Sequence, residues 1–203
     1  MRKTMQRIVQ IVSLALFIFL FIKGKIQVWM IIFLGSTLLT LIVSRFYCGW
    51  ICPINTLIRP ITWIKRKLKI KRREMPSWIK SGVLRIIFLI LFLATMGFVF
   101  ITGKKLPVLP ALLGLGVILS IFFDEALWHR HLCPYGTILT LTGRFSKKAV
   151  TIDQELCNNC RLCTRVCPTN TIVKGEKHQI VKTECLVCFE CQQVCPQKAI
   201  NFK

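Results

Sequence analysis

Four long apolar stretches dominate the first 143 residues, at 8–22, 26–47, 82–102 and 106–123, and basic residues crowd their ends. None alternates as a half-buried strand would, and their length predicts transmembrane helices, since a bilayer core asks for about 20 apolar residues. The first stretch, apolar except for Gln10 and Ser13, is short for that task, so the basic head at 1–7 is expected to continue its helix. Lys23, Gly24 and Lys25 follow it where a signal peptide would carry a small-x-small cleavage site, which favours a retained span. Spans one and two, and again three and four, are joined by very short loops, so each pair is expected to fold as an antiparallel hairpin. Pro107 and Pro110 suit a first helical turn, and Arg85 can snorkel from the start of the third span.

Between the hairpins, Leu57, Ile61, Ile64 and Leu68 recur at helical spacing with Trp63 nearby and basic residues on the remaining face. This predicts a helix lying in the interface plane, opened by Pro60 and ended by Pro76, with lipid anchoring as its favoured role. After residue 143 the pattern changes to that of a small soluble domain. Thr151 to Asp153 lead into a ligand loop, and 172–173 and 179–181 flank a turn at 174–177 as a hairpin. Residues 199–202 offer a closing strand, with little core beyond Val166, Ile172, Ile180, Val194 and Ile200. Two domains follow: residues 1–143 as a four-span α-helical transmembrane bundle, and 144–203 as an α+β module.

The chain carries 29 Lys and Arg against 8 Asp and Glu, a net charge of +21. Their placement beside apolar runs points to anionic lipid and membrane orientation and argues against nucleic acid. The hairpin tips hold Lys23, Lys25, Lys104 and Lys105, whereas the middle loop holds Arg59, Lys65, Arg66, Lys67, Lys69, Lys71, Arg72, Arg73 and Lys80 against one Glu74. The positive-inside bias therefore puts both termini and the middle loop in the cytoplasm. That compartment is reducing, which suits free thiols.

Eight of the eleven cysteines lie between Cys157 and Cys195, in two runs of C-x2-C-x2-C-x3-C-P. Four disulfides or two zinc sites share parts of this spacing. The doubled run is far more specific to the bacterial two-cluster ferredoxin, in which the cysteine before proline crosses to the other cluster. The expected ligands are Cys157, Cys160, Cys163 and Cys195 for one [4Fe–4S] cluster, and Cys185, Cys188, Cys191 and Cys167 for the second. The halves repeat at a fixed offset, so a pseudo-twofold ferredoxin fold held together by its clusters is expected. Its side chains are net basic, which favours reduced clusters and an acidic docking partner.

Three further cysteines form a second constellation. Tyr47-Cys48-Gly49-Trp50-Ile51-Cys52-Pro53 closes the second span, and Trp128-His129-Arg130-His131-Leu132-Cys133-Pro134 follows the fourth. Superposing Cys52-Pro53 on Cys133-Pro134 also aligns Thr56 with Thr137, Leu57 with Ile138, and Cys48 with His129. The membrane half reads as two copies of one unit, a hairpin followed by [C/H]-x3-C-P. Cys48, Cys52, Cys133 and His129 are three thiolates and an imidazole, a donor set for iron, an iron–sulfur cluster or zinc. His131 is the second candidate for the imidazole, and buried structural thiols are the bland reading. Asp124 and Glu125 have no counterparts in the first copy, where Val43 and Ser44 stand. They read as interfacial polarity, with a proton acceptor or a partner for Arg130 as the sharper readings.

These motifs, C-G-W-I-C-P, H-R-H-L-C-P-Y-G and the terminal cysteine runs, resemble the membrane polyferredoxins of the NapH, NosR and CcoG type, with the four-span layout most similar to NapH. The chain departs from that family's pattern at His129, where the pattern has cysteine. The resemblance implies electron transfer in a prokaryotic cytoplasmic membrane, between the quinone pool or a cytoplasmic donor or acceptor and other subunits of a redox complex. A quinone is a further implied ligand. A stand-alone quinol dehydrogenase or metal-ion reductase is the alternative, weakened because no complete acid/base constellation is legible. There is no C-x2-C-H for covalent haem and no evident flavin motif.

Overall fold

The computed structural model describes residues 2–70, 82–103 and 106–203. Lys71, Arg72, Arg73, Lys80, Lys104 and Lys105, on which the expected orientation leans, lie outside the described residues, as do Glu74 and Pro76. Two compact units emerge, Met1–Ile26 with Cys52–Thr137, and Gln27–Ile51 with Ile138–Lys203. This spatial grouping does not follow the compositional boundary at 143, because 27–51 group with the C-terminal residues.

In the first unit, α1 (Arg2–Ile22) absorbs the basic head. Its buried stripe is Gln6, Gln10 and Phe17, while Ile8, Ile11, Val12, Phe19 and Ile22 are exposed. Polar inside and apolar outside inverts the order found in water-soluble helices. The next helix, α4 (Pro53–Lys67), is opened by Pro53 rather than Pro60, which sits inside it. Pro53 has no N–H to lose at the first helical position, which makes it the better starter. The buried face of α4 is Ile54, Asn55 and Ile58, while Trp63, Ile64 and Leu68 of the expected lipid-anchoring stripe are exposed.

Helices α5 (Gly82–Thr102) and α6 (Val108–Phe122) complete the apolar part of this unit. Lys65 Nζ donates to the carbonyls of Ser120 and Phe123 at 3.0 and 2.9 Å, so a cation neutralises the carboxyl end of α6. A Cβ at Gly116 would stand 2.8 Å from both Ile54 and Trp128, so α6 packs there only as glycine. A π-helical turn, Leu127–Leu132, then leads into α7 (Pro134–Thr142).

In the second unit, α2 (Val28–Leu39) stops well short of the expected end at 47. Thr40, Ile42 and Val43 are β-branched and resist helix, and 42–44 turn aside to bridge Lys148: Lys148 N–H donates to Ile42 O at 2.8 Å and Ser44 N–H to Lys148 O at 3.2 Å. The short α3 (Phe46–Trp50) follows. Only α1 and α5 are long and apolar enough to cross a membrane among the described residues; α2 and α6 are shorter apolar helices.

The rest of this unit is two small antiparallel pairs around short helices α8 (Leu162–Val166) and α9 (Glu190–Gln193). β1 (Val150–Ile152) pairs β4 (Ile200–Phe202) with Ile152 opposite Ile200, and β2 (Ile172–Lys174) pairs β3 (His178–Ile180) with Lys174 opposite His178. β2, β3 and β4 match the expected strands, while β1 lies where the sequence shows only a lead into the ligand loop. The core differs from expectation: Ile172 and Ile200 are buried but Val166, Ile180 and Val194 only half so, and Val150, Leu186, Val187, Phe189 and Ala199 fill the interior. Leu186, Val187 and Phe189 lie between the cysteines of a ligand loop, where the alternation that marks a strand is missing.

Candidate functional site

Two cavities lie in the second unit. Cys167, Cys185, Cys188 and Cys191 line one, with Thr169 and Thr171 beside them. Cys157, Cys160, Cys163 and Cys195 line the other, with His178. In each, three cysteines come from one run and the fourth from the run before or after. All eleven cysteines of the chain are free thiols.

The loops reach this shape by left-handed residues at matching places. Asn159 and Val187, Arg161 and Phe189, and Asn170 and Lys198 all have φ between 50 and 63°, and each pair is separated as Cys157 is from Cys185. Asparagine tolerates that conformation; valine, branched at Cβ, is an outlier held there by its surroundings. The bend lets the Val187 N–H donate to Cys185. The Thr171 and Thr169 hydroxyls stand 3.4 and 3.6 Å from the Cys167 sulfur. In the other loop, Asn159 takes the His178 N–H at 3.2 Å and gives its amide to Glu176 O at 2.8 Å.

Burial, then the neighbouring Cys188, pushes the Cys185 thiol up to about 12, and burial likewise raises Cys163 and Cys191. Sulfurs so crowded and so dry cannot all ionise alone. Cationic iron at their centre would offset that cost, and four soft thiolates in a largely apolar cavity are the donor set of an iron–sulfur cube. The residues therefore fit such a group. Among the described residues no three His, Cys, Asp or Glu side chains meet closely enough for a single ion; a cube keeps its ligands further apart.

The segment before the first C-P pair is seated on one of these loops. Arg45, wholly buried, gives Nη1 to Glu184 Oε2 at 2.8 Å, and Thr140 Oγ1 reaches the same oxygen at 3.5 Å. Arg45 Nη2 lies 3.9 Å from the Cys48 sulfur, and burial, opposed by Arg45, raises that thiol. Ser44 Oγ donates to Lys182 O, and Trp50 Nε1 to Val187 O at 3.0 Å. A Cβ on Gly49 would fall 2.0 Å from Leu186 O, so only glycine permits this approach.

The two C-P pairs themselves belong to the first unit and share one backbone form. Cys52 has φ −62 and ψ 118, Cys133 φ −69 and ψ 112, and each hands over to a helix that starts at proline. Thr56 Oγ1 donates to Cys52 O at 3.0 Å and Thr137 Oγ1 to Cys133 O at 3.2 Å. Both sulfurs act on one phenol: burial raises the Tyr135 hydroxyl, and Cys133 and Cys52 push it further. His129 and His131 are buried in the π-helical turn. Such turns are rare and gather at functional sites. Cys48 belongs to the second unit. Glu125 is only 2% exposed and is held at 2.8 Å by Arg66, so it is a buried, paired carboxylate rather than the interfacial polarity favoured from the sequence.

Arg45, Glu184 and Tyr135 were missed by sequence reasoning. A lone arginine inside the stretch 26–47 was the available signal, since a charge buried in an apolar run carries a function by default.

The chain matches a family model described as "4Fe-4S binding domain" twice, over residues 25–71 and 106–152, and one described as "4Fe-4S dicluster domain" over 149–196. The two copies of the first are 81 residues apart, as are Cys52 and Cys133. An uncharacterised protein of Methanocaldococcus jannaschii is 32% identical over 175 residues, 82% of this chain and 68% of that protein. The ferredoxin-type protein NapH of Haemophilus influenzae is 27% identical, covering 78% of this chain and 62% of the relative. The methylamine utilization ferredoxin-type protein MauN of Methylorubrum extorquens is 31% identical over 66% of the chain and 52% of its own length. The chain thus spans about half to two-thirds of these curated relatives. No solved structure is a significant match. A doubled cysteine run, paired C-P segments and likeness to NapH and MauN across most of its length agree: the chain belongs to the NapH-type polyferredoxins, iron–sulfur proteins of electron transfer.

Proposed function

We propose that the chain is a membrane-anchored electron relay of the prokaryotic cytoplasmic membrane, working within a larger redox complex. The first cluster is held by Cys157, Cys160, Cys163 and Cys195, the second by Cys167, Cys185, Cys188 and Cys191. The observation that carries this reading is the sorting of eight thiols into two cavities of four, each with one cysteine from the opposite run. When bound, the clusters supply one-electron chemistry at potentials set by charge, hydrogen bonding and exposure. The chain's own residues hold sulfur as thiolate, donate to it from Val187 N–H and the threonine hydroxyls, and exclude water with Leu186 and Phe189.

Membrane anchoring is supported by two helices of crossing length and by apolar surfaces on α1 and α5 that water would not tolerate. We read α2 and α6, at about 18 and 22 Å from their 1.5 Å rise per residue, as two further spans in a locally thinned bilayer. Two copies of a hairpin-plus-C-P unit are supported by the double family match and by the common backbone at Cys52 and Cys133. The termini face the cytoplasm by the distribution of Lys and Arg. Of the donor set expected from the sequence, Cys52, Cys133 and His129 are read as the membrane-side redox site, serving a further cluster rather than a single ion, with quinone as the small-molecule partner. The basic module docks an acidic cytoplasmic donor or acceptor, and anionic lipid meets the middle loop.

Iron and acid-labile sulfide per purified chain, with EPR, test the proposal. Eight irons in two clusters of four are expected from the ferredoxin cysteines, and iron above that number should vanish in Cys52→Ala and Cys133→Ala. Fewer than eight, with zinc in their place, sinks the reading. Turnover of a quinol analogue or a copper salt by the isolated chain would favour a stand-alone enzyme instead.

A further inference from the structure

The two cysteine cavities are unequal. Cys167, Cys185, Cys188 and Cys191 are all buried, whereas Cys160 is exposed and Cys157 and Cys195 are half-buried. The buried set also has a permanent cation beside it. Arg45 has no exposed surface, and its guanidinium is fixed on Glu184, the residue before Cys185. Ser44 Oγ reaches Cys185 O at 3.3 Å, and Trp50 Nε1 grips the carbonyl of Val187, midway between Cys185 and Cys188. On its other side the same guanidinium stands 3.9 Å from the Cys48 sulfur. One buried cation therefore lies between Glu184, the residue before a ligand of the second cavity, and the first thiol of the C-x3-C-P segment. The exposed cavity is bordered at the surface by Asn158, Arg161 and Gln197 and is lined within by the buried His178 imidazole, whose Nδ1 stands 2.6 Å from Asn159 Oδ1 rather than in an ion pair.

A buried ion pair is a poor source of stability, because desolvation offsets most of the attraction. It is an effective source of field, because a charge acts strongly where the dielectric is low. Arg45 and Glu184 are fixed as a pair against the loop that carries Cys185, so their charges stand at a set place beside that ligand.

We propose that Arg45 is a positioning residue that sets the redox level of the second cluster, making this cluster the inner station beside Cys48 and the first cluster the solvent-side terminal. The inference rests on the ligation proposed above. A cation close to a cluster favours its reduced form, so the inner station sits higher in potential than its ligands alone would set it. The exposed terminal is left to meet a soluble partner.

The test is an EPR-monitored redox titration of the full chain in detergent, with the two signals assigned by Cys160→Ser and Cys188→Ser. In Glu184→Gln the cation loses its counter-charge, and the potential of the second cluster should rise while the first stays in place. In the double variant Arg45→Gln/Glu184→Gln neither charge remains, and the second cluster should move down, again alone. No shift, an equal shift of both clusters, or a shift confined to the first overturns the proposal. Because the double variant strands no charge, loss of the second cluster there would also count against it, showing that the pair merely holds the loop. If Glu184→Gln loses its iron, the double variant decides. A parent chain with fewer than eight irons refutes the ligation itself; a full complement without a selective shift refutes this inference alone.

Discussion

The segments around Cys52 and Cys133 are built alike and used differently. Both place cysteine in extended backbone, start a helix at the following proline, and tie a threonine hydroxyl to the cysteine carbonyl. Upstream they part. The first arrives through an α-helical turn with Cys48, preceded by Arg45. The second arrives through a π-helical turn with His129, preceded by Glu125 and Ala126. Each has a buried charge seven or eight residues before its C-P pair, but of opposite sign, and each charge has found a different partner. The common part is a way of stopping one helix and starting the next around a sulfur; the upstream part is where chemistry can diverge without disturbing it.

The two ion pairs give the largest expected contrast. Glu184→Ala strands Arg45, which has no path to water, and should cost about 3–5 kcal/mol. Glu125→Ala releases Arg66, whose side chain is 35% exposed and can turn to solvent, and should cost only about 1 kcal/mol. Thermal unfolding of the two variants in the same detergent measures the gap, and equal losses would break the contrast. Next comes the glycine of the first segment. Gly49→Ala drives a methyl into Leu186 O and should cost about 3 kcal/mol with loss of iron, whereas Arg130→Ala, at the matching place in the second segment, should leave the iron content unchanged. The smallest effect separates the threonines. Thr56→Val removes one neutral hydrogen bond, about 1 kcal/mol, and Thr137→Val more, about 2 kcal/mol, because Thr137 also accepts from Arg85 Nε at 3.1 Å. A larger loss at Thr56 would show that the two carbonyl ties are not equivalent.

How far the chain could be read from its residues follows from how local each signal is. Cysteine spacing, the proline after a ligand and the turn at 174–177 act over a few residues, and the loops, strands and cavities are found where those signals lie. The limits of α2 were not legible, because what ends it is a bridge to Lys148, more than a hundred residues on. Pro60 was misread as a helix start because Pro53, hidden inside the C-P motif, already performs that task. Arg45 and Glu184 are 139 residues apart and meet only in three dimensions. The protein-facing side of α4 was not legible, since a helix that meets both protein and lipid has two apolar sides and only the lipid-facing stripe shows in the spacing. Asn55 marks the protein side, and no hydrophobic count would choose it.

Gly49 also limits how such proteins can be recombined. With no room for a single methyl between that backbone and Leu186 O, the ferredoxin portion cannot be treated as a cassette cut at residue 143 and exchanged for another. Its second ligand loop and the stretch 44–50 were shaped against each other, and 27–51 fold with 138–203 although the chain visits them far apart. A graft that carries the cluster module without its matching glycine-bearing turn would inherit the cysteines and lose their seat.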